Sequence, residues 1–529
     1  MGIWLGKLDK LAYLQEAAKR YMEPLKIILH RLLILALFAG LLSCSGPDKK
    51  TPLPNVVFLL ADDLGWADLG CYGSTFHETP HLDRLAAESM RFTSAYAACP
   101  VCSPTRASIM TGLYPARIGL TDWIAGRQSY SPGLPCDMLL SRPFAQEMKL
   151  EECTLAEALK EAGYHTFFAG KWHLGGDSAY WPEHQGFEIN KGGWGAGSPQ
   201  GGYFSPYENP RLESGPEGEN LTDRLTDEAI AFLESCEDGP FLLYLSFYAV
   251  HTPLQGKPEL VAKYENKIST LGLVPGDMET TDREWIRYAP ARGRFVERIR
   301  QGHPVYASMI ETLDSNVGRL MQKLDELGLE RNTIVVFMSD NGGLATAEGS
   351  PTSNLPLRAG KGWLYEGGIR EPMFIKWPGS GSEGTLSDVP VISTDFYPTI
   401  LDMAHLELKP EQHRDGISLV PLLTGKGTPE RRPLFWHYPH YSNQGGKPGA
   451  AVRLGDYKLI EFFDPGKVEL YNLAADPGEM TDLAETMPEK KEELLQMLHD
   501  WQDETGAQGM DPNPAYDPGY LRETYLNNP

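Results

Sequence analysis

The sequence predicts an α/β fold: a mixed or parallel sheet sandwiched by helices, then a smaller C-terminal subdomain of antiparallel sheet plus one helix. Three observations predict it. Continuous apolar runs at 55–60, 240–248 and 333–338 suit strands buried on both faces, as in a parallel sheet. Stretches with helical spacing of apolar positions, 222–235 and 306–328, alternate with them. From about Arg431 the pattern changes to short strands (434–438, 451–454, 457–460, 469–471) divided by turns, then a helix at 488–501. The expected boundaries are an N-terminal extension at 1–44, a main domain at 52–430 and the subdomain at 431–529.

The 529 residues suffice for one large domain and a smaller one. A net charge of −23 argues against nucleic-acid binding by bulk attraction, so an anionic substrate would need a local basic pocket. Residues 32–42 form an apolar run behind Lys26, His30 and Arg31, too short to span a bilayer comfortably and similar to a signal-peptide core. It ends in Leu41-Leu42-Ser43-Cys44, which resembles the lipobox of bacterial lipoproteins. Cys44 would then be the lipidated first residue, and the protein a lipoprotein of the bacterial cell envelope, periplasmic or at the outer-membrane surface. The alternative is a cleaved export signal or a short anchor. Met22 offers a second start, which would leave residues 1–21 untranslated. Besides Cys44 and Cys102, the cysteines are odd in number and irregularly spaced, so neither a disulfide framework nor a zinc pattern is expected.

Taken in order, the strand at 55–60 stops at Asp62-Asp63, adjacent carboxylates that repel unless a cation or donors compensate; a plain turn or cap is the other reading. In Cys102-Ser103-Pro104-Thr105-Arg106, Pro104 reads as the first residue of a helix that Gly112 stops. Cys102 then sits at a helix N-terminus, which favours an anion, with Arg106 one turn on. The stretch alone also fits a buried free cysteine. A helix at 155–163 and a strand at 166–169 lead to Lys171 and His173, two residues apart in a Gly-flanked loop. Loop 192–210 interleaves Trp194, Tyr203, Phe204 and Tyr207 with Gly and Pro. Its rings either stack on sugars or pack the loop onto the body. The strand at 240–248 delivers His251; residues 254–303 are polar and have no clear assignment. The strand at 333–338 ends in Asp340-Asn341, and Gly360-Lys361-Gly362 precedes a strand at 373–377 and a helix at 395–401.

Several strands thus end in functional groups that a doubly wound sheet would bring to one rim. The cysteine stretch matches a C-x-P-x-R motif, extended by Gly112-Leu113-Tyr114-Pro115-Ala116-Arg117. With Asp62-Asp63, Gly170-Lys171-Trp172-His173, Asp340-Asn341-Gly342 and Gly360-Lys361-Gly362 in the same order, the chain resembles the type I, formylglycine-dependent arylsulfatase family of the alkaline phosphatase superfamily over roughly 52–500.

The resemblance implies an alkaline-phosphatase-like fold and a sulfuric ester hydrolase. Cys102 would be oxidised to formylglycine (3-oxoalanine) by a maturing enzyme, its hydrate supplying the nucleophile. Calcium would be held by Asp62, Asp63, Asp340, Asn341 and modified residue 102, all oxygen donors. Arg106 and His173 would hold the hydrate, Lys171 and Lys361 would neutralise sulfate, and His251 with Lys361 would protonate the departing alcohol. Thr121-Asp122-Trp123-Ile124 and the loop through Tyr203 and Tyr207 are similar to bacterial galactose- and N-acetylgalactosamine-sulfate enzymes. A sulfated glycan is therefore the expected substrate, with Trp194 and Tyr203 as its stacking residues. The alternatives are a phosphonate or phosphate monoester hydrolase, a sulfatase of small aryl esters, and an inactive glycan-binding lipoprotein.

Overall fold

The computed structural model describes residues 5–41, 52–126, 133–236, 239–280, 296–429 and 432–520. Chain contacts divide it into Met1–Pro52 and Leu53–Pro529. The first unit is a helix, α1 (Leu5–Leu41), with Pro24 inside it. Among the described residues no helix is long and apolar enough to cross a membrane. Cys44 lies outside the described residues.

The second unit is built on a nine-stranded sheet. Its strands are β1 (Asn55–Ala61), β2 (Met90–Tyr96), β3 (His165–Gly170), β4 (Ile189–Lys191), β5 (Phe241–Ser246), β6 (Thr333–Ser339), β7 (Arg370–Lys376), β8 (Leu386–Ser387) and β9 (Val391–Ile392). The order is β8-β2-β7-β6-β1-β5-β3-β4, with β9 also on β2. Pairing is parallel throughout, except that β7 runs against both β2 and β6. Reversing one strand leaves β2 pointing the same way as β6. The carboxyl ends Ala61, Tyr96, Gly170, Ser246 and Ser339 therefore share a rim with the start of β7, where Arg370 pairs with Tyr96. A side chain on Gly170 would place its Cβ 1.8 Å from the Ser246 carbonyl oxygen, so only glycine lets β3 close on β5 there.

Both faces of β1 are buried, as its unbroken apolar run requires. Val56, Phe58 and Leu60 pack with helices α3 (Cys102–Thr111), α4 (Leu155–Glu161) and α8 (Phe396–Met403). Val57, Leu59 and Ala61 pack with α2 (Pro80–Ala87), α5 (Leu221–Ser235) and α7 (Pro304–Glu326). A further helix, α6 (Pro258–Leu271), lies in the stretch that had no sequence assignment; Pro258 opens it and Gly272, at φ 63°, closes it.

The smaller antiparallel sheet is β10 (Leu434–Tyr438), β11 (Gly449–Leu454), β12 (Tyr457–Phe462) and β13 (Lys467–Asn472), in chain order, with α9 (Pro488–Thr505) packed on it through Leu494, Leu498 and Trp501. Its apolar face joins Tyr96, Trp363 and Tyr365 of the main body. A buried ion network crosses the same junction. Lys458 of β12 bonds Glu366 at 3.0 Å and Glu479 at 2.9 Å, and all three side chains are fully buried. Burial pushes the Glu366 carboxyl up, but Lys458 and Arg370 outweigh it and hold it at about 2. Glu479, where burial wins, is pushed up to about 7.

Lys458→Ala leaves Glu479 buried without its cation and Glu366 with Arg370 alone, so it is expected to destabilise the protein by about 3–5 kcal/mol. Denaturant unfolding checks this; a loss under about 1 kcal/mol, the level of an exposed ion pair, would contradict it.

Candidate active site

Each functional side chain reaches the rim because a buried strand ends there. Asp62 and Asp63 follow β1, Lys171 and His173 follow β3, His251 lies five residues past β5, and Asp340 and Asn341 follow β6. Cys102 opens α3 after β2, and Lys361 precedes β7. Asp62, Asp63, Asp340, Asn341 and Lys171 are all fully buried. Two non-glycine residues here, Asp63 (φ 61°) and His173 (φ 57°), hold the left-handed backbone, a strain that the surroundings must fix. The Tyr306 hydroxyl does this for Asp63 by donating to its carbonyl at 3.2 Å and to Asp68 at 2.7 Å.

The acids and cations interlock. Lys171 Nζ donates to both Asp62 oxygens at 3.0 and 2.8 Å, and Lys361 Nζ lies 2.8 Å from Asp63. Arg106 donates to Asp340 Oδ2 from Nε at 2.8 Å, with Nη2 at 2.7 Å, and from Nη1 to the Lys171 carbonyl and the Ser246 hydroxyl. Burial pushes the Asp62 carboxyl well up, with Asp340 and Asp63 adding to it against Lys171. Burial raises Asp63 too, but Lys361, His251 and Lys171 pull it below the usual carboxylate range.

Cys102 Sγ lies 3.3 Å from His173 Nδ1, and His173 Nε2 is 3.3 Å from the Ile124 carbonyl oxygen. Burial raises the thiol despite Lys171 and Lys361 nearby, so as a cysteine it stays protonated and a weak nucleophile. Burial, then Lys171 and Arg106, keep His173 neutral. His251 Nε2 faces Asp63 Oδ2 at 3.7 Å; burial and Lys361 hold its imidazole down to about 3, against Asp63.

The donors suit a hard cation. One ligand atom from each of Asp62, Asp63 and His251 lies within 4.8 Å of the others. Asn341 donates its amide to Asp63 at 2.8 Å, while its buried Oδ1 has no hydrogen-bond partner. An orphaned oxygen among carboxylates is what a divalent cation with oxygen ligands would satisfy.

Comparison with known proteins places this rim. Residues 54–406 match the family model described as Sulfatase, and 359–506 match N-sulphoglucosamine sulphohydrolase, C-terminal. The chain belongs to the sulfatase family. It is 35% identical to human arylsulfatase A over 88% of this chain and 89% of that protein. It is 32% identical to mouse N-acetylgalactosamine-6-sulfatase over 81% of this chain and 75% of that protein. A sulfatase of Formosa agariphila is 30% identical over 88% and 90%. The crystal structure of Ps i-CgsB in complex with k-i-k-neocarrahexaose superposes with a TM-score of 0.67, at 28% identity over 85% of this chain and 92% of that one. The protein is thus a sulfatase, and the fold is the expected alkaline-phosphatase-like one.

One rim of the sheet gathers Cys102, Arg106, Lys171, His173, His251, Lys361, Asp62, Asp63, Asp340 and Asn341. Two expectations need correction. The helix begins at Cys102, not Pro104, so the cysteine is its first residue. Tyr203 is not a stacking face: its ring is buried in the core, and its hydroxyl donates to the carbonyls of Tyr248 at 2.6 Å and His251 at 2.9 Å. Tyr207 is buried in the same cluster. Trp194 is half-buried and accepts the His173 amide at its carbonyl. The glycines of this loop serve close approach, since a Cβ on Gly197 would lie 2.4 Å from the His173 ring. Sequence reading missed Ser246, which accepts from Arg106 at 2.6 Å and donates to the Lys171 carbonyl at 2.7 Å. Its signal is a hydroxyl closing a wholly apolar strand.

Asp340→Ala leaves the Arg106 guanidinium buried without its closest carboxylate. A destabilisation of about 3–5 kcal/mol in denaturant unfolding is expected, along with loss of sulfate-ester turnover. Wild-type stability in this variant would show that the pair does not organise the rim.

Proposed function

We propose that this sulfatase removes sulfate from a galacto-configured sugar, galactose or N-acetylgalactosamine 4- or 6-sulfate, at the end of a sulfated glycan. The observation that carries the chemistry is the placement of Cys102: first residue of α3, buried, against His173 and inside the field of Lys171 and Lys361. A protonated thiol there is a poor nucleophile, which favours its conversion to formylglycine by a maturing enzyme. The sugar class is supported by the similarity to N-acetylgalactosamine-6-sulfatases and to a structure in complex with a neocarrahexaose. A lipid anchor at Cys44, in a bacterial cell envelope, completes the reading.

With residue 102 matured to the aldehyde, one hydroxyl of its hydrate would attack the sulfate and the second would then expel sulfate and restore the aldehyde; Asp62, Asp63, Asp340, Asn341 and residue 102 would hold a calcium ion, which would supply positive charge to the site. Arg106, locked by Asp340 and Ser246, orients residue 102 from one side, and neutral His173 accepts its proton from the other. Lys171 and Lys361 neutralise charge growing on the sulfate oxygens, where preorganised cations act most strongly. His251 is neutral in the free protein. An arriving sulfate, being anionic, raises its pKa so that the imidazole takes up a proton from solvent, and it then gives that proton to the departing sugar oxygen.

Made beside a maturing enzyme, active protein should carry an aldehyde at residue 102 by peptide mass spectrometry. It should also lose turnover on exhaustive chelation and regain it with calcium. Active protein with only unmodified Cys102 would overturn the reading. His251→Ala is expected to slow a sugar sulfate by about 10²-fold or more, and an activated aryl sulfate by less than about tenfold, because only the poor leaving group needs the proton. Equal losses on both substrates would leave His251 a sulfate-binding role and remove the acid.

A further inference from the structure

At the mouth of the site, two chain segments converge on one exposed carboxylate, Glu348. Its Oε2 accepts the Thr252 hydroxyl at 3.1 Å, and its Oε1 accepts the Gln444 side-chain amide. Thr252 is the neighbour of His251, with Oγ1 3.5 Å from His251 Nδ1. Gln444 belongs to the loop between β10 and β11 of the smaller sheet. Its carbonyl accepts from Trp363 Nε1 and Thr346 Oγ1, each at 3.0 Å, and a Cβ on Gly362 would lie 2.0 Å from the Ser442 hydroxyl. That loop is therefore pressed onto the segment carrying Lys361, and Glu348 is clamped from both sides. Asp62, Asp63 and Asp340 are buried, whereas Glu348, tied to the neighbour of His251 through Thr252, is exposed to solvent.

We propose that Glu348 selects the sugar bearing the scissile sulfate: its carboxylate accepts hydrogen bonds from that sugar's hydroxyls and repels a sugar carrying a second anionic group. The preferred substrate is then a singly sulfated, otherwise neutral sugar. The inference rests on the carbohydrate-sulfatase reading above and deepens it. A like charge held close to a bound anion discriminates through repulsion, which neutral hydrogen-bonding groups at the same place would not supply.

The test uses calorimetric binding in the Cys102→Ala protein, with and without Glu348→Gln. The probes are N-acetylgalactosamine 6-sulfate and N-acetylgalactosamine 4,6-disulfate. With Glu348 present, the disulfate should bind at least about tenfold more weakly than the monosulfate, and Glu348→Gln should shrink that gap to within about threefold. An unchanged gap in Glu348→Gln, while the matured enzyme turns over the monosulfate, overturns the role of Glu348 alone. Turnover of neither sugar by matured enzyme overturns the carbohydrate reading on which it rests.

Discussion

Burying Asp62, Asp63 and Asp340 at one strand rim is tolerable only because Lys171, Lys361 and Arg106 are buried with them. Each ion removed from water costs several kcal/mol after relaxation, and only close, well-directed pairing offsets that. The sheet supplies the closeness. Parallel strands bring five carboxyl ends together, and the one reversed strand adds the Lys361 segment from the opposite direction. The balance also explains why the site suits an anionic ester. Lys171 and Lys361 are tied to carboxylates in the free protein. On the proposed function, a cation held by those acids would leave the two ammonium groups free to face sulfate oxygens without unbalancing the rim.

The smaller sheet takes part in this arrangement. Lys458 stitches β12 to Glu366, just ahead of β7, and Gln444 brings the β10–β11 loop to Glu348. The segment 359–506, matched by its own family model, therefore supplies both a buried clamp and part of the mouth. The proposed chemical groups sit at or near the ends of buried strands, whereas Glu348, Thr252 and Gln444 sit on loops, which can vary without disturbing the sheet.

Much of the rim was legible because apolar runs that stop at polar pairs, such as Leu60-Ala61-Asp62-Asp63, mark buried strands and their functional ends together. Strand β2 was not legible: Arg91, Thr93 and Ser94 interrupt its apolar positions, and its burial comes from β7, whose partner and direction no local pattern encodes. Tyr203 was misread for a related reason. A tyrosine in a Gly-rich loop looks available for stacking until its hydroxyl finds two carbonyls nearly fifty residues away in sequence. Ser246 and Glu348 take their roles from partners distant in the chain, so nothing beside them announces either.

In the proposed function the buried cations neutralise the sulfate oxygens while the nucleophile attacks sulfur, so the sulfur–oxygen bond would break. Hydrolysis of a sugar sulfate in ¹⁸O-water tests it most directly. The account predicts the isotope in released sulfate and none in the sugar hydroxyl. Label in the sugar would mean attack at carbon, for which the arrangement of Lys171, Lys361 and His251 offers no explanation.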